Sequence, residues 1–127
     1  MLTLDFLDDG SPDCPMLRIS GSHPAAYQEL RSGFESLHDK SAQRIAIDEP
    51  PAIAPAGGCR LVAVATTWDQ GVVESQKTGS FEWRLTAEMW DNVAGLLEPF
   101  CAGEARGFQW LESAGDIPVL VTIDGRW

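Results

Sequence analysis

Residues 59–86, CRLVAVATTWDQGVVESQKTGSFEWRLT, decide the fold class of this chain. Leu61 to Ala65 is apolar at every position, whereas Phe81, Trp83 and Leu85 alternate with Glu82, Arg84 and Thr86. An unbroken apolar run suits a strand covered on both faces, and strict alternation suits one with a solvated face. WDQG and KTGS supply turn residues between the apolar segments, so the stretch reads as a three-stranded antiparallel meander with Leu61 to Ala65 in a central place.

Downstream, Thr86 is a good helix cap and Glu88 suits the positive end of the helix dipole. Met89, Trp90, Val93, Leu96, Leu97 and Phe100 then fall on one helical face, and Pro99 and Gly103 mark the end of that helix. Two closing strands are expected at 107–112 and 117–123, joined by SAGD.

Upstream, Leu2, Leu4 and Phe6 alternate with Thr3 and Asp5 as a half-buried strand requires. The turn-rich DDGSPDCP returns the chain into a second strand from Met16 to Ile19. Pro24 fits the first position of a helix capped by Ser22 or His23, with Tyr27, Leu30, Phe34 and Leu37 as its apolar stripe and an end near Asp39. A short strand around 44–48 precedes EPPAIAPAGG at 49–58, which is expected to be a loop without regular structure.

These elements predict a single α+β domain over 1–127. The expected architecture is a two-layer sandwich, with a mainly antiparallel sheet of about seven or eight strands and two amphipathic helices on one face. The length is that of one ordinary domain, and the residues before the 49–58 loop are too few to bury a stable core alone.

Nineteen acidic against nine basic residues give a formal net charge of -10, spread along the chain. That balance opposes phosphate, so nucleic acid and anionic membranes are excluded as partners, while a basic protein remains compatible. MLTLDFLDDG lacks a basic flank and a sustained apolar run, which reads as neither a signal peptide nor a span. Cys14, Cys59 and Cys101 are odd in number and widely spaced, as in a reducing compartment, so a soluble cytoplasmic protein is expected.

Motifs that carry a mechanism are missing: there is no phosphate-binding GxxxxGK[ST], no GxGxxG, no HExxH, no CxxC pair and no GxSxG. His23 and His38 stand at opposite ends of the first predicted helix, roughly 20 Å apart at the helical rise, and cannot share a metal. Asp5, Asp8, Asp9 and Asp13 cluster in sequence, but their spacing is not that of a calcium loop, and Asp8 and Asp9 beside Gly10 read as turn formers. No metal or cofactor is expected, and catalytic residues cannot be assigned. Cys59 and Cys101 read as buried hydrophobes; Cys14 alone sits in a turn.

All the tryptophans lie in the second half of the chain. Trp83, Trp90 and Trp110, the last alternating with Phe108, are assigned to the core. Trp68, beside Asp69 at a strand end, and Trp127 have no periodicity that obliges burial. Trp68, Asp69 and Trp127 are therefore the candidate binding residues.

The strings WDNVAGLLEPF (90–100), GFQWLE (107–112) and IPVLVTIDGRW (117–127) resemble stretches of short bacterial proteins of uncharacterised families, a resemblance that implies no activity. Two functions are carried forward. The first is a non-catalytic protein-interaction domain, with a homodimer covering an apolar face at Val62 and Val64 or at Leu61 and Ala63 as one form of it. The alternative is a small-molecule-binding domain or small enzyme with a pocket between sheet and helices, for which Trp68, Asp69 and the prolyl loop are candidate walls.

Overall fold

The computed structural model describes residues 2–48, 53–111 and 114–127. Residues 49–52 and 112–113, and with them part of the expected 49–58 loop and of the SAGD turn, lie outside the described residues.

The chain opens with the expected hairpin, β1 (Leu2–Leu7) and β2 (Met16–Ser20), paired antiparallel with Asp5 opposite Arg18. Helix α1 (Pro24–His38) follows, burying Tyr27, Leu30, Phe34 and Leu37 as its periodicity predicts. Its cap differs from expectation. His23 occupies the cap position without a side-chain hydrogen bond, and its backbone carbonyl accepts from Ala26 and Tyr27 instead. Proline at the start of the helix lowers the need for a side-chain cap, because it has no N–H to satisfy.

Strands β3 (Arg44–Ala46), β4 (Ile53–Pro55), β5 (Arg60–Ala65), β6 (Gly71–Glu74) and β7 (Ser80–Leu85) lead to α2 (Ala87–Leu96) and α3 (Glu98–Cys101). Strands β8 (Phe108–Leu111) and β9 (Val119–Thr122) then close the chain as an antiparallel hairpin. Thr86 caps α2 as expected, its hydroxyl accepting from the Met89 N–H at 3.3 Å. The single helix expected from Thr86 to Pro99 instead breaks at Leu97. Pro99 cannot donate to a carbonyl one turn back, so the chain restarts as the short α3 with proline in its first turn.

The α+β class holds, but the single, mainly antiparallel sheet does not. There are two mixed sheets among the described residues, of order β4-β1-β2-β9-β8 and β3-β5-β7-β6, with three helices rather than two. The expected meander is replaced by a parallel β5–β7 pair, with β6 antiparallel on the far side of β7. β5 is central, as its double apolar character demands. β6 is short and exposes Val73 and Glu74, so it belongs at an edge.

The β5–β6 connection is fastened round the end of β7. Thr66 N–H donates to the Leu85 carbonyl, Gln70 N–H to the Arg84 carbonyl, and Thr86 N–H to Asp69 Oδ1 at 2.8 Å. β4 also corrects the reading of 49–58 as wholly irregular: Ile53, fully buried, starts a strand parallel to β1 at the sheet's edge. An edge tolerates Pro55, because an outward N–H is not needed there.

One core joins both sheets and the helices. Phe34 on α1 meets Trp83 on β7 edge-on at 5.5 Å and Trp90 on α2 face-on at 5.1 Å, while Phe6 on β1 meets Phe81 on β7 at 4.7 Å. Trp90 is fully buried, and its Nε1 donates to the Val64 carbonyl at 3.1 Å, so burying the indole leaves no donor unsatisfied. Buried Asp48 accepts from Leu61 N–H and pairs with Arg60 at 2.8 Å. No helix among the described residues is long and apolar enough to cross a membrane.

Candidate functional site

The five-stranded sheet turns Leu17, Ile19, Val119 and Val121 to the core, so the residues between them face outward. Register places Asp5, Arg18, Leu120 and Trp110 in one row across this outer face, with Thr122 and Phe108 in the next. Met16 and Leu120 also stand on it and are fully buried, although they lie outside the main core. They are shielded by what lies over the sheet.

Part of that cover is residues 124–127, held down at several points. Arg18 is the hub. Its Nε and Nη2 each donate to an Asp5 carboxylate oxygen at 3.1 Å, and its Nη1 donates to the Gly125 carbonyl at 3.0 Å. Its guanidinium carbon lies 5.8 Å from the centre of the Trp127 ring. Trp127 Nε1 donates to Asp13 Oδ2 at 2.9 Å, and the Thr122 hydroxyl donates to the Arg126 carbonyl at 2.6 Å. Asp124 is held below the usual carboxylate range, chiefly by the N–H of Arg126 and further by the Thr122 hydroxyl.

Beside this arrangement Phe108 stays exposed and Trp110 is half-buried. Phe108 is 45 % exposed on edge strand β8, and Trp110 lies 6.4 Å from it, edge to face. Trp110 was expected in the core; it is Leu111 of that strand that is buried. Gly107 and Ile123 form a ladder pair, so alternation directs the N–H and C=O groups of Phe108 and Trp110 away from β9. Gln109 Nε2 donates to the Trp110 carbonyl at 2.8 Å, which occupies one of those edge groups.

The second region is a cleft of about 660 Å³ where β5 and β7 end and α2 begins, lined by Lys40, Gln43, Thr66, Thr67, Thr86 and Glu88. Trp68 follows Thr67 and is 64 % exposed. Asp69 is engaged with the Thr86 N–H, so it braces the β7–α2 junction. The sequence candidates thus separate: Trp68 and Asp69 belong to the four-stranded sheet, and Trp127 lies on the five-stranded one. Nothing in the described contacts joins them.

The sheet face at Val62 and Val64 differs from the expected uncovered apolar surface. Both valines are half-buried, and the face carries Glu82, which pairs with Arg84 at 2.7 Å and Arg44 at 3.6 Å. Leu61 and Ala63 lie in the core.

Among the described residues no group of three or more histidines, cysteines and carboxylates could hold a metal. His38 directs Nδ1 to the Ala87 carbonyl at 2.9 Å, tying the end of α1 to the start of α2. Cys59 and Cys101 are buried and free, and Cys14 is free and half-buried. Burial, with the charges of Asp48 and Asp5, pushes the Cys59 thiol up to about 11, and burial likewise raises Cys101. Neither thiol is primed as a nucleophile.

Comparison with family models, curated proteins and solved structures finds no match.

Proposed function

We propose that this chain is a non-catalytic protein-interaction domain that docks through the outer face of its five-stranded sheet. The observation that carries the reading is the pair of exposed aromatics on this face, Phe108 at 45 % and Trp127 at 37 %, with half-buried Trp110 packed edge to face against Phe108. Large aromatics are the side chains that dominate binding hot spots, and here they stand on a rigid strand and a pinned segment rather than on a loose loop. Docking by side chains is favoured over strand addition, because Gln109 already occupies one outward carbonyl of the edge.

The test is a paired capture from the lysate of the source organism. Wild type and Trp68→Ser should retain the same specific protein, and Phe108→Ser, with an unchanged circular dichroism spectrum, should lose it. Retention by Phe108→Ser removes this face from the interaction.

A second reading is supported by the cleft. Its volume falls in the range of small-molecule sites, and its walls carry hydroxyl, amide, ammonium and carboxylate groups. A ligand held there raises the melting temperature through linkage, and Thr67→Val should cancel that rise. A broad metabolite panel that leaves the melting temperature unmoved disposes of this reading.

A further inference from the structure

We infer that the cleft between the α1–β3 turn and the start of α2 holds a small zwitterion, a free amino acid or dipeptide, with its carboxylate toward Lys40 and its ammonium toward Glu88. The inference rests on the small-molecule reading of this cleft and adds the chemistry of the ligand; the docking face of the other sheet plays no part in it.

Topology makes the cleft. β5 and β7 run parallel and end side by side, and their chains then part: the chain after β5 passes round the end of β7 toward β6, while β7 turns into α2. On the other side of β5, β3 enters from the α1–β3 turn. Segments that diverge beyond the carboxyl ends of parallel strands leave a crevice there, the usual place for a ligand in open α/β sheets. The walls are braced. Ala65 N–H donates to the Gln43 carbonyl, Thr66 N–H donates to the Leu85 carbonyl, and His38 ties α1 to the Ala87 carbonyl. A ligand therefore meets a site already formed, at little ordering cost, and about 660 Å³ has room for an amino acid or a dipeptide.

Charge selects the occupant. Lys40 and Glu88 both line the cleft and are exposed, and among the described residues neither takes part in an ion pair. The other charged groups at this end are engaged: Asp69 accepts from Thr86 N–H, Asp39 accepts from Ser41 N–H, and Asp91 lies 4.0 Å from His38. An anion would bring a like charge to Glu88, and a cation would bring one to Lys40. A molecule carrying both signs satisfies both, and with no net charge of its own it is not repelled by the protein's -10. The Thr67 hydroxyl and the Gln43 amide, which also line the cleft, can donate to one end and accept from the other.

The backbone of Lys40 points the same way. It is the one described non-glycine residue in the left-handed region, at φ 67°. Glycine adopts that conformation with less strain, so what lysine adds at this position is its ammonium.

The experiment screens the common amino acids and their glycyl dipeptides against the full chain by thermal shift and calorimetry, together with the N-acetyl and carboxamide derivatives of each hit. At least one zwitterion should raise the melting temperature. Blocking either of its ends should weaken binding at least tenfold, as should Lys40→Gly and Glu88→Gln. Lys40→Gly should do so without lowering the melting temperature of the ligand-free protein, which separates loss of the ammonium from loss of the fold. The inference fails if no zwitterion binds, if a blocked derivative binds as well as its parent, or if affinity survives both substitutions. A hit from the broader metabolite panel that Thr67→Val cancels, but that lacks a carboxylate or an ammonium, refutes the zwitterion and keeps the small-molecule reading. Silence in both screens removes both.

Discussion

The ring of Phe34 lies nearly parallel to the indole of Trp90, 16° between planes and 5.1 Å between centres, and so fastens α1 to α2 above the four-stranded sheet. Both residues are fully buried, and Phe34 also meets Trp83. Phe34→Ala opens a cavity where three elements converge. The expected cost is about 3–5 kcal/mol, read as a lowered urea midpoint. A loss below 1 kcal/mol would mean that the site collapses freely, against the packing described.

Trp90 contributes a hydrogen bond as well as a surface. Trp90→Phe keeps an aromatic ring but removes the donor to the Val64 carbonyl. A loss of about 1–3 kcal/mol follows from the unsatisfied acceptor and the smaller ring. Amide exchange should quicken along β5 and the start of α2 rather than across the five-stranded sheet.

Two glycines give opposite expectations for the same substitution. A Cβ on Gly71, which has φ +78°, would run into the backbone nitrogen of Gly115, whereas Gly95 lies in α2 with open space around it. Gly71→Ala should therefore destabilise through a clash that neither backbone can relieve cheaply, and Gly95→Ala should stabilise by roughly 0.5–1 kcal/mol. Thermal melts of the two variants check the pair.

Thiol chemistry is expected to follow burial. In the folded protein at mildly alkaline pH, Ellman's reagent should label Cys14 first, with Cys59 and Cys101 reacting only as denaturant is added. The Cys59 thiol ionises near 9.0 when exposed and near about 11 when folded, so above pH 9 the unfolded chain sheds a proton that the native state keeps. The Cys59 contribution to stability should accordingly be constant below about pH 9 and fall between about 9 and 11, with Tyr27, also raised by burial, adding to the fall. Cys59→Ala should shrink that fall; an identical pH profile would contradict the assignment.

The periodic elements were legible in the sequence because each advertises itself locally. The stripe Tyr27, Leu30, Phe34 and Leu37 defines α1, Thr86 starts α2, and the terminal hairpins carry their own turn residues. Pairing across the chain was not legible. Leu61 to Ala65 announces a covered strand without naming its neighbours, and local economy favours β6 where the structure places β7.

The candidate site was visible only in part. Trp127 and Trp68 stood out because no period claimed them. Trp110 was misplaced, since alternation separates two faces without saying which one meets the core; buried Leu111 decides that, and its burial is a tertiary fact. Arg18 gave no signal at all, being an ordinary polar residue between apolar ones, and its role comes from Asp5, Gly125 and Trp127 converging on it.

The parallel pairing of β2 with β9 sets Leu17 against Val119, about a hundred residues further along. During synthesis Met16, Leu17 and Ile19 leave the ribosome long before any strand exists to cover that side of β2. The growing polypeptide therefore carries an open, greasy ladder edge until β9 has been made. Completion of the five-stranded sheet must wait for β9 to emerge, and it is in this interval that chaperone dependence and aggregation of the newborn chain should be sought.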